Sequence, residues 1–497
     1  MRPLVTAVDI TLDRPSPSDK RADRERLLDG LVAQGITAPV EIDIDLLRIL
    51  PSTLRAHDFR LQPTLGFTRD MARVLSFGGR PVYALAVDIG TTNIVASLVD
   101  VLNNKKISTL EYENPQVEFG LDVLTRVHLA MSGKAATLHE HLVSGLNTLI
   151  QKLCAAQGIT ASDIYAAAFA GNTIMTHFLL NLPVHNIPVE PYIPAAHRID
   201  FMEPKDIGLK INDRGIIYVF PNAGSYVGGD IISGILASGL YKEEQPTMLI
   251  DVGTNAEIVL GCSEWIMVGA GAAGPALEGG ISEIGMRAAE GAVYNVEIDK
   301  NSHEVHMKII GNSEPRGICG TGMIALVSEL YTKGIINQQG KFIGFPERIR
   351  EVNGRQGFVL YESDTVSLII KDTDIDNFLR SKAAMFSSLY VMVKSVGLRF
   401  GEIHKIYMSG AFGAGIDADK AVAIGMIPDI ERSRLIAIGN SSLKGAEMLL
   451  MERELLPAID RIGAMITYKE MNTEGDFMKE FPAALFLPHT DPEVLKG

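Results

Sequence analysis

A chain of 497 residues is too long for one ordinary core and, at about 100–200 residues per domain, should hold two to four domains. With 46% apolar and 21% charged residues it is globular, neither disordered nor fibrous. Its net charge of −14 repels phosphate backbones and anionic lipid, so no nucleic acid and no membrane partner is expected.

The opening, MRPLVTAVDITLDRP, lacks an apolar stretch followed by a small-residue cleavage site, and a cytoplasmic location is expected. The longest uncharged run, Ile164 to Val189, is broken by Asn172, His177, Asn181, Pro183, His185 and Asn186 and will not span a bilayer. Cys154, Cys262 and Cys319 have no close pair among them, which argues against a disulfide framework or a structural zinc. Three thiolates also fall short of the four that an ordinary iron–sulfur cluster takes.

Residues 1–80 read as a small αβ linker domain. A strand-like PLVTAVDITL leads to a helix with Leu27, Leu28 and Leu31 as its apolar stripe and Gly35 as its stop. The domain closes at the loop Phe77-Gly78-Gly79-Arg80-Pro81. From Val82 apolar strands alternate with longer helical stretches, the α/β pattern.

An internal repeat follows. VYALAVDIGTTNIVASLVDVLNNKKISTLEY contains a strand, the turn Asp88-Ile89-Gly90-Thr91-Thr92-Asn93, a second strand, a turn at Asn103-Asn104 and a third strand. TMLIDVGTNAEIVLGCSEWIMVGAG repeats the plan, with Asp251-Val252-Gly253-Thr254-Asn255 in the same place and a turn at Ser263. The aspartates are 163 residues apart, about one domain. The chain therefore reads as an α/β protein with a duplicated βββαβα fold: a first lobe over 81–245 and a second over 246–497.

A strand that ends in Asp-x-Gly-Thr and turns straight back can aim backbone N–H groups and threonine hydroxyls at a phosphate, because glycine allows close approach. The aspartate would repel the phosphate directly. It is better suited to hold magnesium through water or to orient an attacking water. One such turn is equally a plain hairpin; two of them, each flanked by the same three strands, would clamp the tail of one nucleotide.

Ile406 to Gly413, a strand ending in Ser409-Gly410-Ala411-Phe412-Gly413, can lie flat against a base and ribose, or can be a tight strand-to-helix connection. Ala168 to Thr173 is strand, turn and helix, with Asn172 and Thr173 capping the helix or lining a site. Gly269 to Gly280 would cover a nucleotide or allow close packing. Gly317 to Gly322 opens a helix whose N–H groups suit an anion, with Cys319 expected as a small buried thiol. In His139-Glu140-His141, residues two apart on a helix point to different faces, so a solvated face is expected. His303 and His306 belong to a surface hairpin, and Met448 to Met451 to the core.

Duplicated Asp-x-Gly-Thr turns with a late Ser-Gly-Ala-Phe-Gly turn resemble the superfamily of acetate and sugar kinases, heat-shock ATPases and actin, with its ribonuclease H-like lobes. Within it the chain resembles the reductive activators of corrinoid-dependent enzymes. The resemblance is carried in order by AVDIGTTN, NPQVEFGLDVLTRV, AGNTIMTHFLL, PNAGSYVGGD, DVGTNAE, AAGPALEGGISEIGMRAAEGAV, GICGTGMI, YMSGAFG and FPAALFLP, and residues 1–80 resemble the linker of these proteins. It implies an ATPase that couples ATP to reduction of a cobalt(II) corrinoid protein to cobalt(I). It also implies an electron donor such as a ferredoxin, and a homodimer.

By the same resemblance, Gly90, Thr91, Thr92 and Asn93 form the first phosphate loop and Gly253, Thr254 and Asn255 the second. Ser409, Gly410 and Gly413 form the adenosine turn, and Asp88 and Asp251 serve as catalytic carboxylates and water-mediated magnesium ligands. Relatives carry an N-terminal [2Fe–2S] domain that this sequence does not encode, and the linker match at residue 1 favours truncation over a natural short form. Alternatives are a small-molecule kinase of the same superfamily, a nucleotide-binding scaffold and a cobalamin reactivase.

Overall fold

The computed structural model describes residues 2–79, 81–225, 227–253, 256–271, 282–410, 415–469, 471 and 475–496. The chain divides into two compact units, 1–237 with 442–464 and 238–441 with 465–497.

The first unit begins with a four-stranded sheet. Its strands β1 (Val5–Ala7), β2 (Val40–Ile42), β3 (Thr64–Phe67) and β4 (Ala72–Ser76) lie in the order β1-β3-β4-β2. Helices α1 (Asp23–Ala33) and α2 (Ile44–Ala56) place Leu27 and Leu31, and Leu46, Leu50 and Leu54, in one buried cluster. Gly35, at φ +82°, follows α1 in the left-handed conformation that a side chain disfavours.

The larger sheet of this unit takes up the first repeat as β5 (Tyr83–Ile89), β6 (Asn93–Asp100) and β7 (Lys105–Glu113). Helices α3 (Val123–Leu129) and α4 (Ala135–Gln157) lead to β8 (Ile164–Gly171), α5 (Thr173–Leu179), β9 (Asp200–Met202), β10 (Ile216–Val219) and α6 (Gly229–Ser238). The strand order is β9-β10-β8-β5-β6-β7, with β10, β8 and β5 parallel. β8, IYAAAFAG, is buried along its whole length, as a central parallel strand covered on both faces must be. On α4, Leu138, Leu142, Leu146, Leu149 and Leu153 recur at helical spacing, and each is at least 98% buried. At about 1.5–3 kcal/mol per buried leucine this stripe fixes the helix to the sheet.

The second unit repeats the plan as β11 (Thr247–Val252), β12 (Ala256–Gly261) and β13 (Ile266–Gly271). Two small three-stranded sheets follow within 292–371, together with α7 (Gly320–Thr332). Then come α8 (Asp372–Ser395), β14 (Ile406–Gly410) and β15 (Leu435–Gly439). The order β15-β14-β11-β12-β13 matches β10-β8-β5-β6-β7, strand for strand. β16 (Ile466–Lys469) extends it beside β13. The two repeats are therefore the same sheet built twice, in the ribonuclease H-like order.

Helices α9 (Ser441–Met451) and α10 (Leu456–Met465) run between β15 and β16, and residues 442–464 of them belong to the first unit. There the Leu4 N–H donates to Leu450 O at 3.0 Å, the Arg453 guanidinium lies 3.5 Å from the Phe67 ring centroid, and Arg69 bridges Asp200 and Asp460 at 2.9 and 2.7 Å. Leu449 and Leu450 are fully buried, the core position expected of the Met448 to Met451 run.

In the second unit α11 (Gly475–Ala484) leads to a chain end fixed by Lys382 of α8. The Lys382 ammonium, fully buried, donates to the carbonyls of Ala484, Phe486 and Pro488 at 2.7, 2.8 and 2.5 Å. Burial pushes its pKa down to about 7, and the three carbonyls oppose that by favouring the charged form.

Candidate functional site

In the first unit the chain reverses between Ile89 and Ile94, which pair across β5 and β6. The turn needs glycine at 90, because a Cβ there would sit 2.5 Å from Asn93 O. Three distant segments hold it. Fully buried Asn114 donates from Nδ2 to Gly90 O at 2.9 Å and from its backbone N–H to Thr92 O at 2.8 Å. Asn172 accepts from the Met175 N–H at 2.9 Å, capping α5, and donates from Nδ2 to Thr91 Oγ1 at 3.2 Å, so it both caps the helix and lines the turn. Asn93 Nδ2 donates to Glu111 Oε1 at 2.6 Å. Asp88 receives a hydrogen bond on Oδ1 from Ser442 Oγ, the first turn of α9, at 2.8 Å.

The second unit places Asp251 at the end of β11, in register with Glu257 on β12 and Ser409 on β14. Directly opposed residues share a face of the sheet, so the three form one row. Ser409 Oγ lies 3.1 Å from Asp251 Oδ2, 2.7 Å from Ser441 Oγ and 3.1 Å from Gly439 O, and it accepts from the Ser441 N–H at 3.2 Å. Ser441 Oγ is itself 3.4 Å from Asp251 Oδ2. The charge on the carboxylate makes it the strongest acceptor in this set and draws a hydroxyl proton to Oδ2. Gly410, at φ +65°, has no room for a side chain: a Cβ would sit 2.3 Å from Val252 O and 2.6 Å from Asp251 Oδ1. At Gly253 no described atom lies within 4 Å of a built Cβ. Thr254, Asn255 and Gly413 lie outside the described residues.

Chemically, each aspartate is met by serine hydroxyls, and a neutral donor directs a carboxylate without cancelling its charge. The set consists of hard oxygen donors, which suit magnesium and not softer metals.

Family models match the chain from end to end: the RACo linker region over residues 1–77, the RACo middle region over 83–243, and the C-terminal domain of RACo, the ASKHA domain, over 245–496. The chain belongs to the RACo family of reductive activators. A solved structure of a "reductive activator for corrinoid, iron-sulfur protein" is 36% identical, with a TM-score of 0.92 over 99% of this chain and 80% of that one. "Corrinoid activation enzyme RamQ" of Eubacterium limosum is 27% identical over 479 residues, 90% of this chain and 80% of its own. A "[Co(II) methylated amine-specific corrinoid protein] reductase" of Methanosarcina barkeri is 24% identical over 423 residues, 78% of this chain and 73% of its own.

In this RACo-family chain three of the motifs that carry the resemblance fall around the first turn: Asn114 opens NPQ, Asn172 stands in AGNT, and Gly228 of PNAGSYVGGD has room for no Cβ, which would lie 2.4 Å from Asn172 Cα. Asn114, Glu257, Ser441 and Ser442 have no counterpart among the expected site residues. Asn114 and Glu257 stood inside quoted motifs, NPQVEFGLDVLTRV and DVGTNAE; the serines gave no signal, lying 190 and 354 positions from their aspartates.

Cys319 caps α7 and is buried, its Sγ 3.4 Å from Val293 O. The expectation that His139 and His141 lie on a solvated face is corrected. His139 Nδ1 is 3.0 Å from Phe178 O, and His141 packs edge-on against Phe119 at 4.7 Å, because the apolar stripe of α4 draws its flanks into contact. Among the described residues no helix is long and apolar enough to cross a membrane.

Proposed function

We propose that this chain is an ATP-dependent activator of a corrinoid protein, binding its inactive cobalt(II) form and coupling ATP hydrolysis to its reduction to cobalt(I), with the electron coming from a donor such as a ferredoxin. The observation that carries the reading is the duplicated carboxylate turn, one per unit, inside a chain that matches RACo from linker to ASKHA domain.

Asp88 and Asp251 would hold magnesium through water or direct the attacking water, and the backbones of Gly90 to Asn93 and Gly253 to Asn255 would receive the phosphates. Magnesium, when bound, neutralises charge on the phosphate oxygens. The Ser409-Gly410-Gly413 turn would meet the adenosine. Binding energy then does redox work. A preference of about 10⁴-fold for one corrinoid state, about 5.5 kcal/mol, moves a one-electron potential by about 240 mV at about 59 mV per decade.

The test is the ATPase rate of this chain with and without an as-isolated cobalt(II) corrinoid protein. Stimulation, or tight nucleotide-sensitive binding, is expected. Neither effect, with turnover rising instead on a small hydroxyl acceptor, would replace this reading with a kinase. Asp88→Asn and Asp251→Asn are each expected to lower ATP turnover at least tenfold, about 1.4 kcal/mol of barrier.

A further inference from the structure

We propose that Ser442 is a positioning residue for Asp88, and the Ser409–Ser441 pair for Asp251, so that serines remote in sequence, and not the turns alone, set the direction of both carboxylates. The proposal rests on the ATPase reading above; Ser441 and Ser442 lie outside the resembling turns, and Ser409, which lies in the Ser409-Gly410-Gly413 turn, is given a second task there.

Ser409 and Ser441 are fully buried and Ser442 is 3% exposed. A buried hydroxyl needs a partner, and for each of these the partner is, directly or through the other serine, an aspartate oxygen. Helix α9 cannot drift at this point. The Ser442 carbonyl accepts from Ser233 Oγ of α6 at 2.6 Å, and Gly445 packs so close that a Cβ would lie 2.1 Å from Ser233 O. The first turn of α9 is thus clamped within the first unit, and Ser442 presents its hydroxyl to Asp88 from a fixed base. In the second unit the Ser441 N–H holds Ser409 Oγ at 3.2 Å, which fixes the donor that Asp251 meets.

Such a clamp matters if the carboxylate must aim a water, because a misplacement of about 1 Å can cost about 10²-fold in rate. For Ser442 it should act on turnover and not on nucleotide affinity, since its hydroxyl faces the Asp88 carboxylate.

The experiment is steady-state ATP hydrolysis by the full chain and its Ser442→Ala, Ser442→Thr and Ser409→Ala variants, with a thermal melt of each. Ser442→Ala is expected to lower kcat about tenfold with KM for ATP within twofold, Ser409→Ala to lower kcat about tenfold, and Ser442→Thr, which keeps the hydroxyl, to retain at least a third of the rate. A wild-type kcat in Ser442→Ala overturns the proposal. So does a raised KM with unchanged kcat, which would mean that the hydroxyl binds nucleotide, or an equal loss in Ser442→Thr, which would mean packing alone. No turnover by the unaltered chain overturns the ATPase reading and this proposal together, whereas an active chain indifferent to Ser442→Ala overturns this proposal alone.

Discussion

Gly410 and Gly253 flank the same aspartate and are constrained in different ways. A side chain at 410 meets a left-handed φ of +65° together with a backbone oxygen and the Asp251 carboxylate, whereas one at 253 meets no described atom. Gly410→Ala is therefore expected to destabilise the second unit by about 2 kcal/mol or more, the left-handed penalty plus the displacement of Asp251. Gly253→Ala should leave the melting temperature nearly unchanged. Thermal melts of the two variants check the contrast, and equal shifts would contradict it. At this scale the sequence disclosed the aspartates, because a turn written twice is visible, but not the groups that hold them. A serine at the start of a helix looks like any capping serine, and nothing local reveals that Ser442 faces Asp88 from 354 positions away. Lys382 was hidden for the same reason, since its three carbonyl partners lie more than 100 positions further on.

Among the elements, α5 depends on the charge state of one residue. His177 is fully buried, its Nδ1 lies 2.7 Å from Thr173 O, and its Nε2 accepts from the Ala195 N–H at 3.1 Å. Both contacts are satisfied only by the neutral ring protonated on Nδ1. Burial pushes its pKa below the ordinary value; the Thr173 carbonyl opposes this and His197 adds to it. Because the unfolded chain then binds the proton more readily, the stabilisation is complete above about pH 6.5 and is lost as pH falls through the lower folded value. Urea unfolding of the first unit should weaken over that range, and less so in His177→Gln, which can still donate and accept. An equal fall in the variant would assign the effect to other groups. The repeats were legible as elements because their strands are apolar, regular and bounded by Gly and Asn turns. The hairpin that carries His303 and His306 was legible as well, but not the small sheets within 292–371, whose order is set by pairing between segments and not by local periodicity.

For the molecule as a whole, the order of units is not the order of the chain. Residues 442–464 complete the first unit, supplying Ser442 to Asp88, Asp460 to Arg69 and Arg453 to the face of Phe67. Pattern reading placed everything after residue 246 in one lobe, as it must when a segment's partners are set by topology and not by local periodicity. The consequence appears during synthesis. A ribosome adding about 5–20 residues per second takes about 10–40 s to cover the roughly 200 residues between Ala237 and Ser442. Through that interval the emerging first unit lacks two of its helices and exposes the apolar surface they will cover. Nascent chains arrested before residue 442 should be cut readily by protease within residues 1–237, and chains arrested well beyond residue 464 should resist. The first unit is begun early and finished late, and chaperone demand during translation should peak in that gap.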